Sequence, residues 1–252
     1  MDEDLPVPEQ AVLAVLYAPG QRPSLGVVRA AGEASGAFAV SHDPGDEQGG
    51  SGGDAGWAEL LITGLTFDIT GLAPGKGEAV PSIVHRFGFA PDEAAGDGLE
   101  AVFLRPGAHL AGAATMLPVV RGCVALGSAL ATGTGAAAIV WIPARAAMTT
   151  DYFTDVVADW LGGGAFPALG LTALVPGGSG MVSDGLAFFT GQELEVCGPD
   201  MSRAVRIAVR MIHALVCQAP VVVPVELVGP DGELLLAEPI DKGTRVRVGP
   251  RR

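Results

Sequence analysis

In the stretch FFTGQELEV, residues 188–196, Glu193 and Glu195 stand two apart, and SRAVRIAVRMIHALV, residues 202–216, carries Arg203, Arg206 and Arg210 at three- and four-residue spacing. Paired carboxylates can share acid–base work, and a row of guanidiniums can read a carboxylate or phosphate. On a strand, Glu193 and Glu195 point the same way, because side chains repeat with a period of two, and Leu194 and Val196 point toward a core. On the helix that follows, Arg203, Arg206, Arg210 and His213 form one stripe. Ala204, Val205, Ile207, Ala208, Met211, Ile212 and Leu215 form the broad apolar remainder. The favoured reading is two solvated polar faces with surface ion pairs worth about 0–1 kcal/mol each. The sharper reading is an arginine stripe that contacts an acidic ligand or partner.

The remaining motifs argue for structure rather than chemistry. GLAPGKG, residues 71–77, resembles a phosphate loop, but Gly77 follows the lysine where a Ser or Thr would hold Mg²⁺, so it reads as a turn. GTGAAA, residues 133–138, matches a dinucleotide fingerprint but joins a helix to a strand, the reverse of the required order. His213 and Cys217 share a helix face without any accompanying CxxC or HExxH, so no metal is expected. GGSGM, residues 177–181, lacks the final glycine and the strand–turn–helix setting of a nucleophile elbow. No cofactor is expected either.

Composition narrows the functional classes. The 252-residue chain is 49% hydrophobic but only 6% aromatic, with Gly 37 and Pro 19, so turns and short elements should be frequent. A net charge of −13 disfavours nucleic acid and favours a protein partner of basic character. The scattered cysteines Cys123, Cys197 and Cys217 make no disulfide framework, and free buried thiols in a reducing cytoplasm are expected. MDEDLPVPEQ has no apolar h-region, so no signal peptide is expected. Residues 122–144 are uncharged and long enough to span a bilayer, but Thr-Gly-Thr-Gly interrupts them. They read as a helix end, a turn and a buried strand, with no membrane span.

These groups must be positioned by short alternating elements. Strands are expected over 11–18, 38–43, 58–70, 99–104, AAIVWIP, ALGLTAL and LAFFTGQELEV. Helices are expected from Ser24, over 109–131 with Pro118 near its first turns, over 149–161 capped by Thr149 or Thr150, and from Ser202 to about Gln218. PVELVGPDGELLLAEP closes as a hairpin about Gly-Pro-Asp-Gly. PGDEQGGSGGDAG, residues 44–56, is an acidic, Gly-rich loop. The order predicts an α+β fold of two pseudo-equivalent halves, 1–134 and 135–252, each an antiparallel sheet backed by helices. GLTFDITG and GLAFFTGQELEV fall at similar places, which suggests an internal duplication.

AIVWIPARAAMTTDYFTDVVADWLGGGAFPALGLTAL, GLAFFTGQELEV, the arginine-bearing helix and VELVGPDGELLLAEP together resemble domain-of-unknown-function family 4261 over residues 136–248. That resemblance implies a bacterial cytosolic protein and a fold; it implies no reaction and no catalytic residues. The expectation is a non-catalytic protein-binding, accessory or scaffold subunit of a secretion, defence or immunity-like system, with homo-oligomerisation open. The alternatives are an enzyme acting on a small polar or anionic substrate through Glu193, Glu195, Arg203, Arg206 and Arg210, and a structural subunit of a larger assembly.

Overall fold

The computed structural model describes residues 11–44, 56–93, 95–178, 180–198 and 200–251. The segment MDEDLPVPEQ, nearly all of the Gly-rich loop 44–56, and Ser179 of GGSGM lie outside the described residues. The fold is α+β, with two mixed, mainly antiparallel sheets of eight and six strands and helices against them. The chain divides into two compact units at Gly162 and Gly163. A division at 134/135 would have cut the first sheet, because residues 138–149 pair within it.

The first unit contains β1 (Leu13–Tyr17), α1 (Leu25–Ser35), β2 (Ala39–His42), β3 (Trp57–Ile62), β4 (Leu65–Thr70) and β5 (His85–Phe87). It continues with β6 (Glu100–Pro106), α2 (Leu117–Thr134), β7 (Ala138–Trp141), β8 (Ala146–Thr149) and α3 (Thr150–Leu161). The sheet order is β2-β3-β4-β6-β1-β7-β8-β5, and only β5–β8 is parallel. AVLAVLYA shows no alternation because β1 lies between β6 and β7 and is buried on both faces. Ser24 caps α1 by accepting from the Val27 amide, and Thr149 caps α3 by accepting from the Tyr152 amide.

Glycines let α2 approach the sheet closely. A Cβ at Gly127 would stand 2.8 Å from Leu13 Cδ1, and one at Gly122 would stand 3.1 Å from Leu65 Cδ1. Pro118 lies in the first turn of α2, where its missing amide leaves no helical bond unmade. Among the described residues, α2 is the one helix long and apolar enough to cross a bilayer. Half of it is buried, with Val120, Cys123, Val124, Leu126 and Leu130 in the core, and it runs to Thr134, past the expected end at 131, before Gly135 caps it ahead of β7. The opposite face of the sheet carries Ala14, Leu16, Phe103, Ala138 and Val140, covered by Val80, Ile83, Phe89 and Leu99 from the segment between β4 and β6.

The second unit contains β9 (Ala173–Gly177), β10 (Gly180–Asp184), the short α4 (Ala187–Thr190), β11 (Glu193–Cys197), α5 (Met201–Val216), β12 (Val225–Val228), β13 (Leu234–Ile240) and β14 (Arg245–Pro250). Its order is β12-β13-β14-β11-β10-β9, with β11–β14 parallel and the other pairs antiparallel. The Gly-Pro-Asp-Gly hairpin forms as expected: Gly229 N–H donates to Glu233 O, and Gly232 has φ +82°. Other expectations shift. LAFFT coils into α4 because Glu193 caps the turn before it, and α5 is capped by Asp200, which accepts from the Arg203 amide, rather than by Ser202. GLTFDITG is a strand with its flanking turn, whereas GLAFFTGQELEV is a short helix followed by a strand.

Candidate functional site

Alternation on β11 sends Leu194 and Val196 into the core beneath α5, where Ala204, Ile207, Ala208, Met211 and Ile212 are buried as the apolar remainder predicts. Glu193 and Glu195 therefore leave from the face of the sheet opposite to α5. The two carboxylates and the arginines of the helix stand close in sequence, and the sheet separates them.

Glu193 is a structural anchor. Its Oε1 accepts from the amides of Gly185 and Ala187, both at 3.0 Å, and its Oε2 accepts from the Leu186 amide at 3.3 Å and from the Ser183 hydroxyl. Ser183 Oγ in turn accepts from the Leu194 amide at 2.8 Å, so one carboxylate secures the turn into α4 and ties it to β11. A carboxylate with four donors has little acceptor capacity left for a substrate.

Glu195 is 8% exposed and meets the far end of the chain. It is the register partner of Arg247 across the parallel β11–β14 ladder. Arg247 Nη2 lies 3.5 Å and Arg245 Nη1 3.8 Å from Glu195 Oε2. Arg247 also stands opposite Glu238 across β13–β14, so Glu195, Arg247 and Glu238 form a row of alternating charge over three strands. The row lines a cleft of about 580 Å³ together with Cys197, Leu236 and Gly249. The period-two spacing of RVRV was the available signal for Arg245 and Arg247; a basic tail at the end of a chain does not by itself announce a strand that pairs with β11.

The arginines of α5 go elsewhere. Arg203 Nη2 lies 3.0 Å from Glu233 Oε1, and Asp231 Oδ2 lies 3.9 Å from Arg203 Nε and 3.8 Å from Arg206 Nη2. Backbone amide donors, its own first, and then the Arg203 guanidinium hold the Glu233 carboxyl below the usual carboxylate range, against the opposing effect of desolvation. Arg210 is exposed and has no ion pair among the described residues. His213 Nδ1 accepts from the Phe166 amide at 3.1 Å, which orients the ring as part of the fold.

The hairpin that takes the ion pairs of α5 has an exposed apolar side of its own. The hairpin that supplies Asp231 and Glu233 has Val228 and Leu234 at its stem, 58% and 53% exposed, and Val222, Val223 and Val225 precede it, also exposed. Gly229 N–H bonds Glu233 O, so alternation turns the backbone of Val225 and Leu227 toward β13. The peptide groups of Glu226 and Val228 then face the open side of β12, an end strand of the sheet.

The other motifs stay structural. GLAPGKG is a turn leaving β4, with Arg22 Nη2 donating to Gly75 O at 3.0 Å and Arg22 Nη1 to Gly71 O. The cysteines differ from the expectation of three buried thiols: Cys123 is buried, Cys197 half-buried and Cys217 exposed. Compared with family models, with curated proteins and with solved structures, the chain matches none.

Proposed function

We propose that this chain is a non-catalytic protein-binding or accessory subunit of a bacterial secretion, defence or immunity-like system, and that it binds a partner of basic character. One observation carries the reading: the β12–β13 hairpin is held on its α5 side by Arg203 and Arg206, and it leaves Val228 and Leu234 more than half exposed on its other face. Exposed apolar side chains on a firmly held hairpin at the edge of a sheet have the make-up of an interaction surface. The net charge of −13 supplies the long-range attraction for a basic partner.

The competing reading is an enzyme working through Glu193, Glu195 and the arginines of α5. It needs those groups to converge on one concave site. Instead, Glu193 is saturated by four donors, and the helix arginines leave from the other face of the sheet. The resemblance of residues 136–248 to domain-of-unknown-function family 4261 adds a bacterial cytoplasmic setting to the proposal and no reaction. Affinity capture of the tagged full-length chain from a bacterial lysate, with sizing and mass spectrometry of the eluate, tests it. A stoichiometric, basic partner is expected. A monomer that elutes alone would remove the support.

A further inference from the structure

The first unit holds a second concave site, unrelated to the interaction surface above. It is a cleft of about 490 Å³ where β3 and β4 meet the turn 71–78, lined by Trp57, Asp68, Thr70, Lys76, Glu78 and Arg105. Asp68 and Thr70 lie on one face of β4, two residues apart, and Arg105 is the register partner of Asp68 on β6. Arg105 Nε lies 3.0 Å from Asp68 Oδ2 in a pair that leaves the rest of its guanidinium fork open, and the Arg105 side chain is 40% exposed. Lys76 is exposed at the rim and has no ion pair among the described residues. The wall that carries it is rigid. The Arg22 side chain is only 12% exposed, and its Nε lies 3.0 Å from Glu100 Oε2 while the rest of the guanidinium holds the carbonyls of Gly71 and Gly75. Gly75 packs so tightly that a Cβ there would come within 2.9 Å of Gly56 Cα and of Leu72 O.

At the bottom of this cleft, Glu78 Oε2 and Thr70 Oγ1 are both buried, and apart from the interaction of the Thr70 hydroxyl with the Glu78 carboxyl neither has a hydrogen-bond partner among the described residues. Buried polar atoms are nearly always well partnered, and a carboxylate oxygen served only by one loosely placed hydroxyl has room for a further donor. Burial pushes the Glu78 carboxyl above its ordinary value, against the opposing hydrogen-bonding interaction with the Thr70 hydroxyl and the charges of Arg105 and Arg22. Such a perturbed acid in a cleft is typical of a ligand site.

We propose that this cleft binds a small carboxylic acid bearing a hydroxyl or amino group. The carboxylate of the ligand meets Lys76 and the open edge of Arg105. Its hydroxyl or amino group donates to Glu78 Oε2 and completes the bonding of Thr70 Oγ1. Trp57 supplies an apolar wall for the carbon skeleton. The two cations at the rim and the under-served Glu78 and Thr70 oxygens below them suit the two ends of such a molecule. A simple anion satisfies only the rim.

Isothermal titration calorimetry of the full-length chain tests this in two arms. One uses the L-α-amino acids, the other glycolate, L-lactate and L-malate, with acetate as the acid that lacks the donor. At least one member of one arm should bind at least tenfold more tightly than acetate, and the binding arm identifies the donor as amino or hydroxyl. Lys76→Ala, at an exposed site, and the near-isosteric Thr70→Val should each weaken that binding at least fivefold while circular dichroism stays unchanged. The proposal is overturned if no member of either arm outbinds acetate, or if both variants bind as the wild type does. In the first case water completes the bonding of Glu78 and Thr70. None of these results bears on partner binding at β12, so this proposal and the proposed function stand or fall separately.

Discussion

Glu195 and Arg247 stand side by side across the parallel β11–β14 ladder, with Arg247 Nη2 3.5 Å from Glu195 Oε2. The glutamate nearest in sequence to the arginine helix thus takes its partner from the last strand of the chain. This explains why a charged motif that reads as one cluster serves two faces of a sheet. The glutamates hold β11 to its neighbours, and the arginines of α5 dress an exposed hairpin.

Glu193 should matter for stability. Glu193→Ala would leave the amides of Gly185, Leu186 and Ala187 without their acceptor and should lower unfolding free energy by about 2–3 kcal/mol. Glu193→Gln, which keeps one acceptor oxygen, should lose less. Urea unfolding followed by circular dichroism measures both, and equal stability of the alanine variant and the wild type would refute the anchoring role.

Gly180 should be irreplaceable, and Gly198 should not. A Cβ at Gly180 would overlap the Val196 carbonyl oxygen at 1.9 Å, so Gly180→Ala must push β10 away from β11 and should cost about 3 kcal/mol. Gly198 has open space around its Cβ position, and Gly198→Ala should change stability by no more than about 0.5 kcal/mol. The same denaturation experiment compares them. A neutral Gly180→Ala would show that the β10–β11 register is different.

Much of this arrangement was readable from residue order. Ser24 and Thr149 announced their helices, Gly135 at the end of Thr-Gly-Thr-Gly caps α2, and Gly-Pro-Asp-Gly marked its hairpin, because each signal is satisfied within a few residues. The apolar stripe of α5 was equally plain, since a helix must bury the face that its period defines. Long-range pairing was not readable. RVRV gives the alternation of a strand, but nothing local says that it lies parallel to ELEV. The unit boundary was misplaced for the same reason: AIVW belongs to the first sheet through its pairing with β1, a partner more than a hundred residues away. FFT reads as strand by propensity, yet the carboxylate of Glu193 stabilises the turn that leads it into α4. GLAPGKG reads as a turn, and nothing in its order shows that Glu78 just beyond it meets Thr70 on β4 and Arg105 on β6.

Glu78 should leave a signature in the pH dependence of stability. Its folded-state carboxyl is raised by burial, so the folded chain holds that proton more tightly than the unfolded chain. Stability from this group is therefore greatest at low pH and declines as pH rises from the ordinary glutamate range through the raised folded value. Glu78→Gln removes this dependence. The stability of the variant relative to wild type should rise across that window and level off above it, as measured by urea unfolding in a buffer series. A difference that stays constant with pH, or one that falls, would contradict the burial of an ionisable Glu78.

The thiols should react in order of exposure. Cys217 should be modified first by an aromatic disulfide reagent at neutral pH, and Cys197 more slowly. Cys123, whose thiol burial pushes up to about 12, should react only on unfolding. Peptide mapping of the modified chain assigns each phase. Early labelling of Cys123 would show that α2 opens readily from its sheet.

The exposed surface beside the β12–β13 hairpin is the central claim, and one paired capture experiment tests it most directly. The tagged wild type and a Val228→Lys, Leu234→Lys variant are used side by side to capture partners from a bacterial lysate, with the eluates quantified by mass spectrometry. Both positions are more than half exposed, so the variant should fold, and matching circular dichroism spectra and melting curves would establish that it has. The account predicts a stoichiometric basic protein in the wild-type eluate that falls at least tenfold with the variant. A partner retained equally by both chains, or no partner with either, would contradict it.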